Sequence, residues 1–168
     1  MAQPIEREVE FEAAFAEHYP RVYGLLFRLL GDRAAAEDLT VEAFWRLWAR
    51  APRPPENLGG WLHRVALRLG YNALRAARRR ERYELQAGHA ALEINAAPDP
   101  SQSVEKQQER ARVRMVLSQM KDRDAQLLIL RHSGFSYREI AETLGVAPSS
   151  VGTLLARAEV EFEQRYTS

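Results

Sequence analysis

Apolar residues along this chain recur every three or four positions. No convincing alternating apolar and polar run is bounded by turns, so helices are predicted throughout and strands are not. Phe11, Phe15, Val22, Leu25, Leu26, Leu29 and Leu30 keep helical spacing up to Gly31 and Asp32, with an interruption near Tyr19 and Pro20. A second helix is predicted from Ala34 to Arg50, with Glu37 and Asp38 near its positive end. Pro52, Pro54, Pro55, Asn57, Gly59 and Gly60 then make a stiff loop. A long helix follows from Trp61 to about Tyr83, and two more run from Val104 to Met120 and from Asp122 to His132.

The sharpest local signal lies between Ser136 and Tyr166. Ser136 and Glu139 have the S-x-x-E spacing of a capping box, which satisfies free amides at a helix start; Phe135 and Ile140 stand where a hydrophobic staple would. Ile140, Ala141 and Leu144 give one apolar face, and Gly145 suits the left-handed C-cap. Pro148 sits where its missing N–H costs a new helix nothing. In that next helix Val151, Leu155, Ala158 and Phe162 form a core face, while Ser149, Ser150, Thr153 and Arg157 project from the other. Two short helices joined this way can place the second in the DNA major groove, where hydroxyls near its start reach phosphates or bases. Glu159, Glu161 and Glu163 crowd the far end and oppose both the helix dipole and DNA. A helical hairpin that only packs is the alternative reading.

Gly88, Asn95, Pro98, Asp99, Pro100 and Ser101 break helices and mark a linker over 86–102, between a first block at 8–85 and a second at 103–168. The expected fold is all-α: two small helical bundles joined by a flexible linker, the second containing a helix-turn-helix. Cysteine is absent and the four histidines lack ligand spacing, so no disulfide, metal or cofactor is expected. The acidic N-terminus has no long apolar run, which predicts a cytoplasmic protein without membrane insertion. The net charge is only +1, yet residues 61–85 hold 7 Arg against 2 Glu. A basic block within a balanced total points to one local anionic partner.

Two surfaces carry the functional reading of the first block. On the helix from Ala34, Leu39, Ala43 and Leu47 share one stripe, which suffices for a core; Val41, Phe44, Trp45 and Trp48 form an adjoining one. Either both stripes are buried, or the second is a protein-binding patch edged by Glu42 and Arg46. On the helix from Trp61, Arg68, Arg75, Arg78, Arg79 and Arg82 all fall within about 60° of Arg64 at 100° per residue, with Tyr71 in the stripe and Asn72 at its margin. That ridge, on the order of 30 Å long, suits phosphates, and its aromatic suits an unpaired base. A solvated face in an arginine-rich chain is the alternative.

Together these segments resemble the short two-domain, extracytoplasmic-function group of bacterial sigma factors, from about Phe11 to Tyr166. Ala36-Glu37-Asp38-Leu39, Glu42, Phe44 and Arg46-Leu47-Trp48 are similar to the polymerase-binding helix. Trp61-Leu62-His63-Arg64-Val65-Ala66, Leu74-Arg75 and Arg78-Arg79-Arg80 are similar to the segment that melts and reads the minus-ten element. Leu130-Arg131, Gly134-Phe135-Ser136-Tyr137, Glu139-Ile140-Ala141, Leu144-Gly145-Val146 and Val151 are similar to the minus-thirty-five-binding domain. The resemblance implies core RNA polymerase and promoter DNA as partners, leaves room for an anti-sigma factor, and implies a binding protein with no catalytic group. It assigns Asp38, Leu39, Val41, Glu42, Phe44, Trp45 and Trp48 to polymerase. Asn57, Trp61, Arg64, Arg68, Tyr71, Asn72, Arg75, Arg78 and Arg79 go to minus-ten DNA, with the loop from Ala51 to Gly60 capturing a flipped base. Arg138, Ser149, Ser150, Thr153 and Arg157 go to the upstream duplex. Val41, Arg68, Asn72, Gly152 and Leu154 depart from the family pattern, and Ala147 replaces a serine cap. A helix-turn-helix regulator acting without polymerase is the alternative function; it leaves the arginine ridge unexplained.

Overall fold

The computed structural model describes residues 4–49, 55–88, 101 and 103–168. The front block is three helices: α1 (Pro4–Leu30), α2 (Arg33–Ala49) and α3 (Leu58–Gln86). The rear block holds α4 (Val104–Gln119), α5 (Asp122–His132), α6 (Tyr137–Leu144), one 3-10 turn (Pro148–Ser150) and α7 (Val151–Thr167). No strand occurs among the described residues. The last residue of the expected second helix, 50, part of the expected loop, 51–54, and most of the expected linker, 89–100 and 102, lie outside the described residues.

Local chemistry explains most helix ends. Asp32 caps α2, its Oδ1 accepting from the Ala35 amide at 3.1 Å, so the helix starts before Glu37. Asn57 caps α3 by accepting from the Gly60 amide at 2.9 Å. At α6 both halves of the capping box form: Glu139 N–H donates to Ser136 Oγ, and Ser136 N–H to Glu139 Oε2. Gly145 ends α6 at φ +69°, a conformation that costs a side chain energy. Pro20 does not interrupt α1 as its position suggested; the helix runs through it, one backbone donor short. Ala147 offers no cap, and the chain takes the 3-10 turn at Pro148 before α7 begins.

The apolar faces meet in two clusters. Val22, Leu26, Ala36, Phe44, Leu62 and Ala66 bind α1, α2 and α3 together. The other cluster joins Leu25, Leu29, Leu67, Tyr71 and Leu74 of the front block to Val116, Met120, Leu127, Phe135, Ile140 and Leu155 of the rear. Helices α1 and α3 are therefore buried on two sides, and Gly70 lets them approach. A Cβ there would stand 2.7 Å from Leu29 Cδ2. Both expected helical bundles are present, and they pack on each other through this second cluster.

Candidate nucleic-acid interface

Helix α2 sorts the residues expected to take polymerase. Phe44 is 1% exposed, ringed by Phe11, Phe15 and Tyr19 at centroid distances of 6.3, 4.8 and 6.3 Å. It belongs to the core rather than to a docking patch, because α1 lies directly across its side of α2. Leu39 packs against the same cluster, half-buried. One turn away the surface is open: Val41 is 56% and Trp45 61% exposed, with Asp38 also exposed. Trp48 continues this face but is half-covered by α1. The Arg7 guanidinium lies 4.2 Å from its ring centroid, Phe11 meets it edge-on at 5.2 Å, and Arg7 donates to its carbonyl. Glu42 pairs with Arg46 at 2.8 Å along the edge of the face.

Helix α3 divides its arginine stripe in two. Leu62, His63, Ala66, Leu67, Gly70, Tyr71 and Leu74 form the buried side. Tyr71 therefore belongs to the core, not to an exposed stacking platform; it is 1% exposed. Its hydroxyl lies 2.5 Å from the Leu117 carbonyl and 2.8 Å from the Met120 carbonyl, and burial pushes its pKa up, keeping the donor proton. Arg75 is drawn to the same seam. It pairs with Asp122 at 2.8 Å, and its guanidinium lies 4.8 Å from the Tyr71 ring centroid. Arg64 donates to the Thr143 carbonyl at 2.8 Å and the Glu142 carbonyl at 3.1 Å. Asn57 also leans across, donating to Glu142 at 3.2 Å.

On the other side of the stripe, Arg68, Asn72 and Arg79 are exposed and Arg78 is half-buried. Arg46 from α2 joins Trp61, Arg64, Val65 and Arg68 around an open groove of about 290 Å³. The groove pairs an indole with three guanidinium groups, a lining suited to phosphate and to a base stacked beside it. The sequence pattern did not signal Arg46 as part of this groove; it placed Arg46 with Glu42 at the polar edge of the aromatic patch.

In the rear block Ser149, Ser150, Thr153 and Arg157 are all exposed at the start of α7. Arg138 on α6 is exposed and pairs with Glu142 at 3.1 Å. Gly152, where a basic residue was the family pattern, would bring a Cβ 3.6 Å from the Tyr137 ring, an ordinary contact. Among the described residues no group of three His, Asp or Glu could hold a metal ion, and no helix is long and apolar enough to cross a membrane.

Comparison with known proteins matches residues 14–80 to Sigma-70 region 2 and residues 110–161 to Sigma-70, region 4. The chain is 33% identical over 145 residues to the ECF RNA polymerase sigma factor SigE of Mycolicibacterium smegmatis, covering 84% of this chain and 54% of that protein. It is 30% identical to the RNA polymerase sigma factor CarQ of Myxococcus xanthus, covering 83% of this chain and 79% of the relative. The chain spans about half the length of SigE, at 54%, and of the probable ECF sigma factor SigI of Mycobacterium tuberculosis, at 52%. Among solved structures, the sigma factor RpoE in complex with the anti-sigma factor NepR from Bartonella quintana shares the fold. Its TM-score is 0.57 at 20% identity, over 94% of this chain and 97% of that one.

Proposed function

Because the chain belongs to the extracytoplasmic-function group of RNA polymerase sigma factors, we propose that it binds core RNA polymerase and directs initiation at particular promoters. The observation that carries this reading is the adjacency of two unlike surfaces on the front block. Val41 and Trp45 expose an apolar face on α2, while Arg46, Trp61, Arg64 and Arg68 line a basic groove between α2 and α3. An exposed indole is a side chain enriched at protein-binding hot spots, and the valine beside it extends the apolar patch. A groove of guanidinium groups around a second indole suits an unpaired strand. The exposed hydroxyls and Arg157 at the start of α7 supply the duplex contact upstream.

In this reading the chain works by recognition and the polymerase performs the chemistry. Trp45, Val41 and Asp38 contact the enzyme; Arg68, Asn72, Arg78 and Arg79 hold the opened strand with Trp61. Transcription in vitro with purified core polymerase tests it. The double substitution Arg68→Ala with Arg79→Ala should reduce open-promoter capture and lower its salt dependence by about two counterions' worth of slope. Undiminished output from that variant overturns the assignment of the groove.

A further inference from the structure

The outward side of α7 holds hydroxyls and methyls before it holds any charge. At 100° per residue Ala156, Arg157 and Val160 fall within about 60° of Thr153, and all of these side chains are exposed. Ser149 and Ser150, exposed in the 3-10 turn, lead into this face. Two positions that could have carried a charged group onto it do not. Gly152 has no side chain, and Leu154 packs half-buried against the rear core. From Ser149 to Ala156 there is therefore no cation. Arg157 is the first guanidinium of α7, one turn beyond Thr153 and about 6 Å further along the axis. Glu159 and Glu163 stand exposed beyond it.

Base edges in the major groove are matched by different side chains. A guanine is held by an arginine or lysine that bonds its O6 and N7 together. A thymine offers a C5-methyl, which packs on an alanine or on the methyl of a threonine, while a serine hydroxyl serves either kind of base. We propose that α7 reads the upstream duplex mainly through thymine methyls, packed on Thr153 and Ala156 with Ser149 and Ser150 bonding alongside, and takes a single guanine through Arg157. This rests on reading the chain as a sigma factor with α7 in the upstream element. The chemical class of that element is then an A·T-rich tract with one G·C pair, placed towards the far end of the contact. Small side chains also let the backbone of α7 come near the base edges. Methyl-to-methyl contact requires this, because dispersion attraction is gained only near 3.5–4.0 Å.

Gly152 supplies the discriminating variant. A Cβ there meets only the Tyr137 ring at 3.6 Å, an ordinary contact, and arginine is a better helix former than glycine, so Gly152→Arg should fold. An arginine is long enough to reach the groove from the margin of the face. In the experiment, core RNA polymerase with this chain captures DNA from a library randomised over the upstream duplex, ahead of a fixed unpaired bubble. Wild type should retain thymine runs with one fixed guanine. Replacing those thymines by deoxyuridine removes only the methyls, and capture should fall about fourfold for each contacted methyl lost. Arg157→Ala should erase the guanine preference at its one position, by about tenfold, and leave the thymines selected. Gly152→Arg should add a second fixed guanine. Three results overturn the proposal and leave the sigma reading intact: adjacent guanines retained by wild type, equal capture of thymine and deoxyuridine duplexes, or a selection that Gly152→Arg leaves unchanged. Capture of the bubble with no upstream preference, by wild type and variant alike, overturns the placement of α7 in the duplex and this inference with it. Failure to capture the bubble at all overturns the sigma reading, and the inference falls with it.

Discussion

Replacing His63 by phenylalanine should remove an acid sensitivity that the seam between the blocks builds into the protein. His63 is 5% exposed, its ring edge-on to Phe135 at 4.8 Å, and its Nε2 has no hydrogen-bond partner. Burial, then the Arg21 guanidinium and His18 on α1, lower its pKa from 6.5 to about 4; Glu139 on α6 opposes them weakly. The unfolded chain therefore binds the extra proton first as the pH drops. Stability is full above about 6.5, falls through the window down to about 4, and levels off below it. At about pH 5 the unfolded imidazole is almost wholly protonated and the folded one almost wholly neutral, a difference worth about 2 kcal/mol. Glu139 stays ionised across this window, because Arg21 and the Ser136 amide hold its carboxyl at about 2. Urea unfolding of wild type and His63→Phe at about pH 7.5 and about pH 5 measures the effect. Wild type should lose about 2 kcal/mol more than the variant on acidification. The same loss in both, or a smaller one in wild type, refutes the assignment of the proton to this ring.

Other outcomes follow from single contacts. Tyr71→Phe removes the hydroxyl that links α3 to the end of α4, and calorimetry should show a loss of about 1 kcal/mol, or about 3 °C in Tm. Trp45→Ala should lose core polymerase in a pull-down with an unchanged unfolding midpoint, whereas Phe44→Ala should lose about 3–5 kcal/mol of stability by opening a core cavity. Ser136→Ala breaks the capping box of α6 and should cost about 1 kcal/mol by chemical denaturation.

Elements with strong local chemistry were legible in the sequence. Asp122 to His132 is a helix as expected, and Ser136, Glu139 and Gly145 act at the ends of α6 as their spacing implied. Sidedness was harder. Tyr71 lies only about 20° from the line of Arg64 by helical angle, so periodicity grouped it with the arginines. The buried arc of α3 reaches that far because a second bundle packs there. Phe44 and Trp45 are neighbours of similar character, and only the position of α1 across α2 decides which is covered. The engagement of Arg64 and Arg28 had no signal at all, since their acceptors are backbone carbonyls that any residue could supply. Arg75 had one in principle, Asp122, but a charge pair 47 positions apart is one of many the sequence allows.

Run-off transcription by purified core RNA polymerase, with and without this chain, across a set of genomic promoter fragments separates a sigma factor from a regulator that acts alone. The chain should co-elute with core polymerase and produce discrete start sites on a subset of fragments. No association with the enzyme and no added transcripts, alongside duplex binding by the chain alone, would contradict the sigma reading and favour a regulator that acts without polymerase.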